Sequence, residues 1–153
     1  MTAATVHLQL DGPMDHLRLV WQTGETLLMS VPFTEDPEGA RYNVLLSIQE
    51  LLTNVFRHGY EGDQSKPVQL KLEASPEGFA VEIRDRGQKF DPVAYQGRPR
   101  DDEDEAEGGG YGLIIAKMVM DEFDYLYEDG WNVVRASKSV YAAVSASSAE
   151  AQA

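Results

Sequence analysis

The chain has 153 residues, suited to one domain with a substantial core, and its 42% hydrophobic content is ordinary for a globular protein. It has no cysteine, which excludes disulfides and thiolate-ligated metal sites and is compatible with a reducing compartment. With 13 Lys and Arg against 26 Asp and Glu, the net charge of −13 repels a phosphate backbone and argues against direct nucleic-acid binding.

The N-terminus lacks the basic-then-apolar pattern of a secretory signal, and no apolar run approaches the roughly 20 residues of a membrane span, so a cytoplasmic protein with no membrane attachment is expected. VHLQLDG at 6–12 alternates as a short strand ending in a turn. Residues 13 to about 30 then predict a helix with Leu17, Val20, Trp21, Leu27 and Leu28 inward. Pro32 and Pro37 bracket a loop. A second helix is predicted from about 38 to 58, with Gly59 as its C-cap. On it Asn43, Ser47, Glu50, Asn54 and Arg57 recur every three or four residues and form one polar stripe, while Val44, Leu45, Ile48, Leu51, Leu52, Val55 and Phe56 fill the other side. That stripe faces either solvent or a ligand.

PVQLKLEAS and GFAVEIRD alternate around Pro76, Glu77 and Gly78 and predict an antiparallel hairpin. From 86 to 107 there is no useful periodicity, and DDEDEAE at 101–107 is almost wholly acidic. A loop of that length inside a compact domain is usually functional or disordered. GGGYG at 108–112 opens an apolar helix running to about Met120, and FDYLYEDGWNVVRAS forms a second hairpin turning at Asp129 and Gly130. The order implies an α+β fold, a two-layer α/β sandwich with helices on one face of a mixed or mostly antiparallel sheet. The domain is expected over 1–138, followed by a disordered Ala/Ser-rich tail at 139–153.

Taken singly, the polar features are weak. Asp85-x-Gly87 at a strand end reads as a turn, the glycine run as linker or helix punctuation, and a helical Asn as a local hydrogen-bonding residue. In this order and spacing they resemble the GHKL, or histidine-kinase-like, ATPases with the Bergerat fold. ELLTN is similar to their N box, DRGQKFDP to the first glycine box, and GGGYGLIIAKMVMDEFDY to the second. Within that superfamily the chain resembles the anti-sigma-factor serine/threonine kinases of the RsbW type over about residues 43–137.

The resemblance implies ATP and Mg²⁺ as cofactors, with Asn54 as the Mg²⁺ ligand and Glu50 as the general base toward a hydroxyl nucleophile. It implies Asp85 as acceptor for the adenine amino group, Gly87 as the residue that lets the base approach the backbone, and Gly108, Gly110 and Gly112 as the phosphate-binding turn. The loop between the glycine boxes becomes an ATP lid. The implied activity is phosphorylation of a STAS-domain anti-anti-sigma antagonist, combined with sequestration of a sigma factor or similar regulator and possible homodimer formation. The alternative is an ATP-binding switch without phosphotransfer, whose nucleotide state sets partner choice. One departure stands out: Gly109 and Tyr111 flank Gly110 with no Arg or Lys where these kinases often carry a basic residue, so that transition-state charge stabilisation is either weaker or supplied by Arg98 or Arg100.

Overall fold

The computed structural model describes residues 3–11, 16–63, 66–95 and 111–141. Gly108, Gly110, Arg98, Arg100, the acidic run at 101–107 and residues 142–153 of the expected tail lie outside the described residues. The start of that tail, by contrast, is ordered: Ser139 ends the last strand, and Val140 is buried and bonded through its backbone to Thr34 and Glu77.

Strands β1 (Ala4–Leu10), β2 (Val68–Ser75), β3 (Gly78–Asp85), β4 (Glu122–Glu128) and β5 (Trp131–Ser139) form one sheet in the order β1-β2-β3-β5-β4. Every pairing in it is antiparallel. The first strand starts two residues earlier than expected and ends at Leu10, because its even-numbered residues meet those of β2: Val6 lies opposite Leu72 and Leu8 opposite Leu70. Alternation sends Leu70, Leu72, Phe79, Val81 and Ile83 into the core, and places Lys71, Glu73, Glu82 and Arg84 on the open face. The β4–β5 turn at Asp129 and Gly130 has φ of 52° and 82°, the left-handed pair a two-residue hairpin requires.

Three helices are described: α1 (His16–Leu28), α2 (Pro37–Asn54) and α3 (Tyr111–Val119). Val20 and Leu28 of α1 are buried, and at Gly24 between them a methyl group would lie only 2.9 Å from Leu45 of α2. Leu17, at the N-terminal end of that stripe, is 40% exposed rather than inward. Pro37 is the first residue of α2 rather than part of the loop, and the Asp36 side chain caps the helix by accepting from Gly39 N at 3.2 Å.

The other end of α2 departs from expectation. α-Helical geometry stops at Asn54, and residues Val55–Gly59 form a π-helical turn. Gly59 is not the left-handed cap. The reversal comes two residues later at Glu61 and Gly62, with φ of 53° and 88°, where Gly62 N donates to Phe56 O at 2.6 Å. Gly59 is needed for a different reason, taken up below. Leu72, fully buried between Val6 and Val81, tests the core. Leu72→Ala is expected to lower unfolding free energy in urea by about 2–5 kcal/mol, the usual loss for a core leucine.

Candidate active site

The polar stripe of α2 is the seat of α3. Gly112 of α3 meets Glu50, while Met118 and Val119 share a hollow with Asn43, so α3 runs along the stripe with opposite polarity. Ser47, midway, is fully buried and donates to Asn43 O at 2.8 Å, which satisfies its hydroxyl within the helix. The Glu50 carboxylate occupies the space that any side chain at position 112 would need, so a glycine there lets the N-terminal turn of α3 close on Glu50. Burial raises the Glu50 pKa above 4.5, and the positive charge of Arg57 partly offsets that rise.

Asp85 ends β3 at 4% exposure, opposite Asn132 of β5 in the register. Its Oδ1 accepts from Gly87 N at 2.8 Å and from Asn132 Nδ2 at 3.0 Å. Burial raises its pKa, and those two donors pull it back down. Gly87 is pressed on Gly59: a methyl group on Gly87 would overlap the Gly59 carbonyl, which also accepts from Gln88 N at 2.8 Å. This contact locks the π-turn at the end of α2 to the segment that follows β3, and a side chain on Gly87 would force them apart, whereas one on Gly59 would press on Asp85 Oδ1 at 3.1 Å. Tyr60 adds a second tie, donating to Pro67 O at 2.6 Å and accepting from Arg86 N at 2.8 Å.

Asn54 is 8% exposed and lines the same small cavity as Gly59, Asp85, Phe90 and Asn132. The cavity measures about 20 Å³, room for a water molecule and not for a purine, so a larger ligand must displace the wall formed by Phe90 and Pro92. That wall is seated from two sides. His58 of the π-turn stacks on Phe90 at 4.5 Å between centroids and 11° between planes, with Tyr95 against both. Lys117 of α3 donates to Val93 O at 2.8 Å and Tyr95 O at 2.5 Å, and burial lowers its pKa. A wider hollow of about 230 Å³ lies on the open sheet face, where Glu82 pairs with Arg135. None of its side chains is among the buried polar groups.

The sequence-predicted residues thus fall in two adjoining groups: Glu50 touches Gly112, and Asn54, Asp85 and Gly87 surround the base of the cleft. Sequence reasoning missed Asn132, Gly59 as a packing partner, and Lys117. A signal for Asn132 was present, since it is the one polar residue in the inward series Asn132, Val134, Ala136.

Residues 14–138 match the family model described as Histidine kinase-like ATPase domain. The serine/threonine-protein kinase BtrW of Bordetella bronchiseptica is 28% identical over 93 residues, 60% of this chain and 66% of the relative. The serine-protein kinase RsbW of Listeria monocytogenes is 26% identical over 94 residues, 58% of this chain and 60% of the relative. The matches therefore span less than two thirds of those relatives' lengths. Among solved structures, the SiaB–SiaC complex from Pseudomonas aeruginosa aligns with a TM-score of 0.60 at 12% identity, over 87% of this chain and 88% of that one. The RsbU and RsbW domains of a Mycobacterium tuberculosis protein align with a TM-score of 0.58 at 17% identity, over 88% of this chain and 32% of that one. At those identities the likeness is one of fold.

A carboxyl whose folded-state pKa is raised binds more protons in the native than in the unfolded state, so stability falls as pH rises through its titration. For Asp85 this cost is absent below its ordinary pKa of 3.8 and complete above the raised value. Asp85→Asn keeps an acceptor for Asn132 and removes the buried charge. It is expected to raise the melting temperature of the ligand-free protein at pH 7, with the gain disappearing as pH falls toward 3.8.

Proposed function

Because the chain belongs to the histidine kinase-like ATPase domain family, we propose that it is an ATP-dependent protein serine/threonine kinase that acts as an anti-sigma-type regulator, phosphorylating a STAS-domain anti-anti-sigma antagonist and sequestering a sigma factor or similar regulator. The observation that carries the reading is the placement of Glu50 and Asn54 one turn apart on α2, with Glu50 against the start of α3 and Asn54 facing the buried Asp85 across one cleft. Two curated relatives named as serine or serine/threonine kinases support it, as does the likeness in fold to the SiaB–SiaC complex.

The residues fit a magnesium nucleotide. A buried carboxylate is an acceptor for an exocyclic amino group, and Gly87, by packing on Gly59, holds the segment that follows Asp85 at the edge of the cleft. Asn54, buried at the cleft, is the residue that would hold Mg²⁺, through its side-chain carbonyl oxygen, a hard donor of the kind this ion takes. When bound, Mg-ATP would supply the transferable phosphoryl group, with Mg²⁺ offsetting part of the triphosphate's own negative charge, which the protein's net charge of −13 opposes.

The chain's own residues do the rest. Asp85 would hold the base and Asn54 the metal, and the backbone N–H groups at the start of α3, with the helix dipole behind them, would favour the phosphates. Glu50 accepts the proton of the attacking seryl or threonyl hydroxyl. Burial raises its pKa, which makes it a stronger proton acceptor than an exposed carboxylate.

Two substitutions test the assignment. Asn54→Ala should abolish most of the thermal stabilisation given by Mg-ATP or Mg-ADP, which for a ligand at a hundredfold excess over Kd is about 2.7 kcal/mol. Absence of any shift in the unsubstituted protein at millimolar nucleotide would sink the nucleotide reading. Glu50→Gln should leave Mg-ATP affinity within a few-fold and cut transfer of radiolabelled phosphate to STAS-domain proteins by about 10²–10⁴. In the unsubstituted enzyme transfer should fall as pH drops through the Glu50 pKa, above 4.5, and Arg57→Ala should move that limb to higher pH. If nucleotide and partner bind but no phosphate moves, and Glu50→Gln changes neither binding event, the protein is a nucleotide-gated switch instead.

A further inference from the structure

We infer that Asn132 is a positioning residue for purine selectivity: its side-chain amide occupies Asp85 Oδ1 and so leaves Oδ2 as the acceptor that the cleft presents to an exocyclic amino group. The inference rests on the proposed nucleotide site and extends it, by assigning discrimination to a residue that touches Asp85 rather than the ligand.

Asn132 is 2% exposed, and its side chain is a hub. Its Nδ2 lies 3.0 Å from Asp85 Oδ1, 3.2 Å from Gly87 O and 3.0 Å from Gln88 O, while its Oδ1 accepts from Phe90 N at 3.2 Å and from the Tyr125 hydroxyl at 2.6 Å. The orientation of the amide is dictated by these partners. Reversed, its carbonyl would face a carboxylate and two carbonyls, and its N–H groups would face the N–H of Phe90. The donor end therefore points at Asp85, with two hydrogens shared among three acceptors.

Gly87 N donates to the same oxygen at 2.8 Å, so the carboxylate cannot rotate without losing both bonds. Among the described residues Oδ2 receives neither. An ionised carboxylate only accepts, which suits the amino group of adenine and repels the carbonyl oxygen that guanine carries at the same ring position. A protonated Asp85 would donate as well and would lose that discrimination. Burial pushes Asp85 toward the neutral acid, and the groups that oppose this are Asn132 and the Gly87 N–H, neither of them charged. The ionisable neighbours that feel its charge are the Tyr60 and Tyr125 hydroxyls, neutral at physiological pH, and Arg86 lies near Tyr60. An apolar residue in the Asn132 position would pack like Val134 and leave the carboxylate one donor short.

The test compares Asn132→Leu with Asn132→Val, which matches Val134 on the same face of the strand; both remove the amide donors without adding a charge beside Asp85, and each is first checked for a cooperative melting transition. Affinities for Mg-ATP and Mg-GTP are measured by calorimetry across pH, and the Asp85 carboxyl is titrated by ¹³C NMR in the ligand-free protein. Loss of a hydrogen bond to a charged group predicts a fall in ATP-over-GTP preference of about tenfold or more. The Asp85 titration and the acid limb of ATP binding should both move to higher pH. In an Asp85→Asn background, Asn132→Leu should leave the ATP-to-GTP ratio unchanged, because its route to the ligand is gone. Equal weakening of both nucleotides at every pH, an unmoved Asp85 titration, or an additive effect in the Asp85→Asn background overturns the inference. If the unsubstituted protein binds neither nucleotide, the proposed function falls and this assignment with it; if it binds ATP and the variants keep its selectivity, this assignment alone falls.

Discussion

A carboxylate held at 4% exposure at the end of β3 is the constraint around which the cleft is arranged. Left alone, such a group would protonate or force its way to water. It stays in place because the chain delivers donors from two directions, the Gly87 N–H just downstream and the Asn132 amide from the adjacent strand. The second donor exists only because β3 and β5 pair in the register that sets Asp85 opposite Asn132. A two-residue slip would keep every apolar side chain on the core face and still put Val134 against the carboxylate, so register here matters for chemistry more than for packing.

From that fixed point the other parts follow. The segment after β3 has to pass close to the end of α2, and it does so by setting Gly87 on Gly59. A π-helical turn, in which the chain widens, is what places Gly59 there while keeping Asn54 on the cleft side. The same economy of side chains appears at Gly112, where the missing Cβ is filled by the Glu50 carboxylate. Each of these glycines is therefore a close contact, and Gly59 and Gly112 both set backbone against a carboxylate, Asp85 and Glu50 in turn.

The cleft works against the overall electrostatics of the molecule. A net charge of −13 opposes any anionic ligand, and the candidate base and the adenine acceptor are themselves acidic. Burial raises the pKa of both carboxylates, which keeps their proton affinity high and their charge costly. Such strain is common where a group is positioned for function rather than for stability. The narrowness of the cavity points the same way, since the His58–Phe90 stack and the Lys117 contacts to Val93 and Tyr95 hold its wall against the opening.

Local order was written in the sequence by itself. Period-two alternation marked the strands, period-3.6 stripes marked the helices, Asp129-Gly130 specified its turn, and the spacing of Glu50, Asn54, Asp85 and Gly87 carried the family resemblance, because each of these signals depends on neighbours a few residues away. Only the tertiary structure decided what the α2 stripe faces: α3 packs over its middle at Glu50, Asn43 stays exposed and Asn54 lines the cleft, so the choice between solvent and ligand was incomplete, and no periodicity within α2 could reveal a helix that packs there from some sixty residues downstream. The same holds for Gly59, which reads as a helix cap until Gly87 is placed against it, and for Asn132, whose five hydrogen-bond partners lie on other segments of the chain. Hydrogen bonds and close backbone contacts between distant segments depend on strand register and helix docking, which are properties of the folded chain and not of any stretch of it.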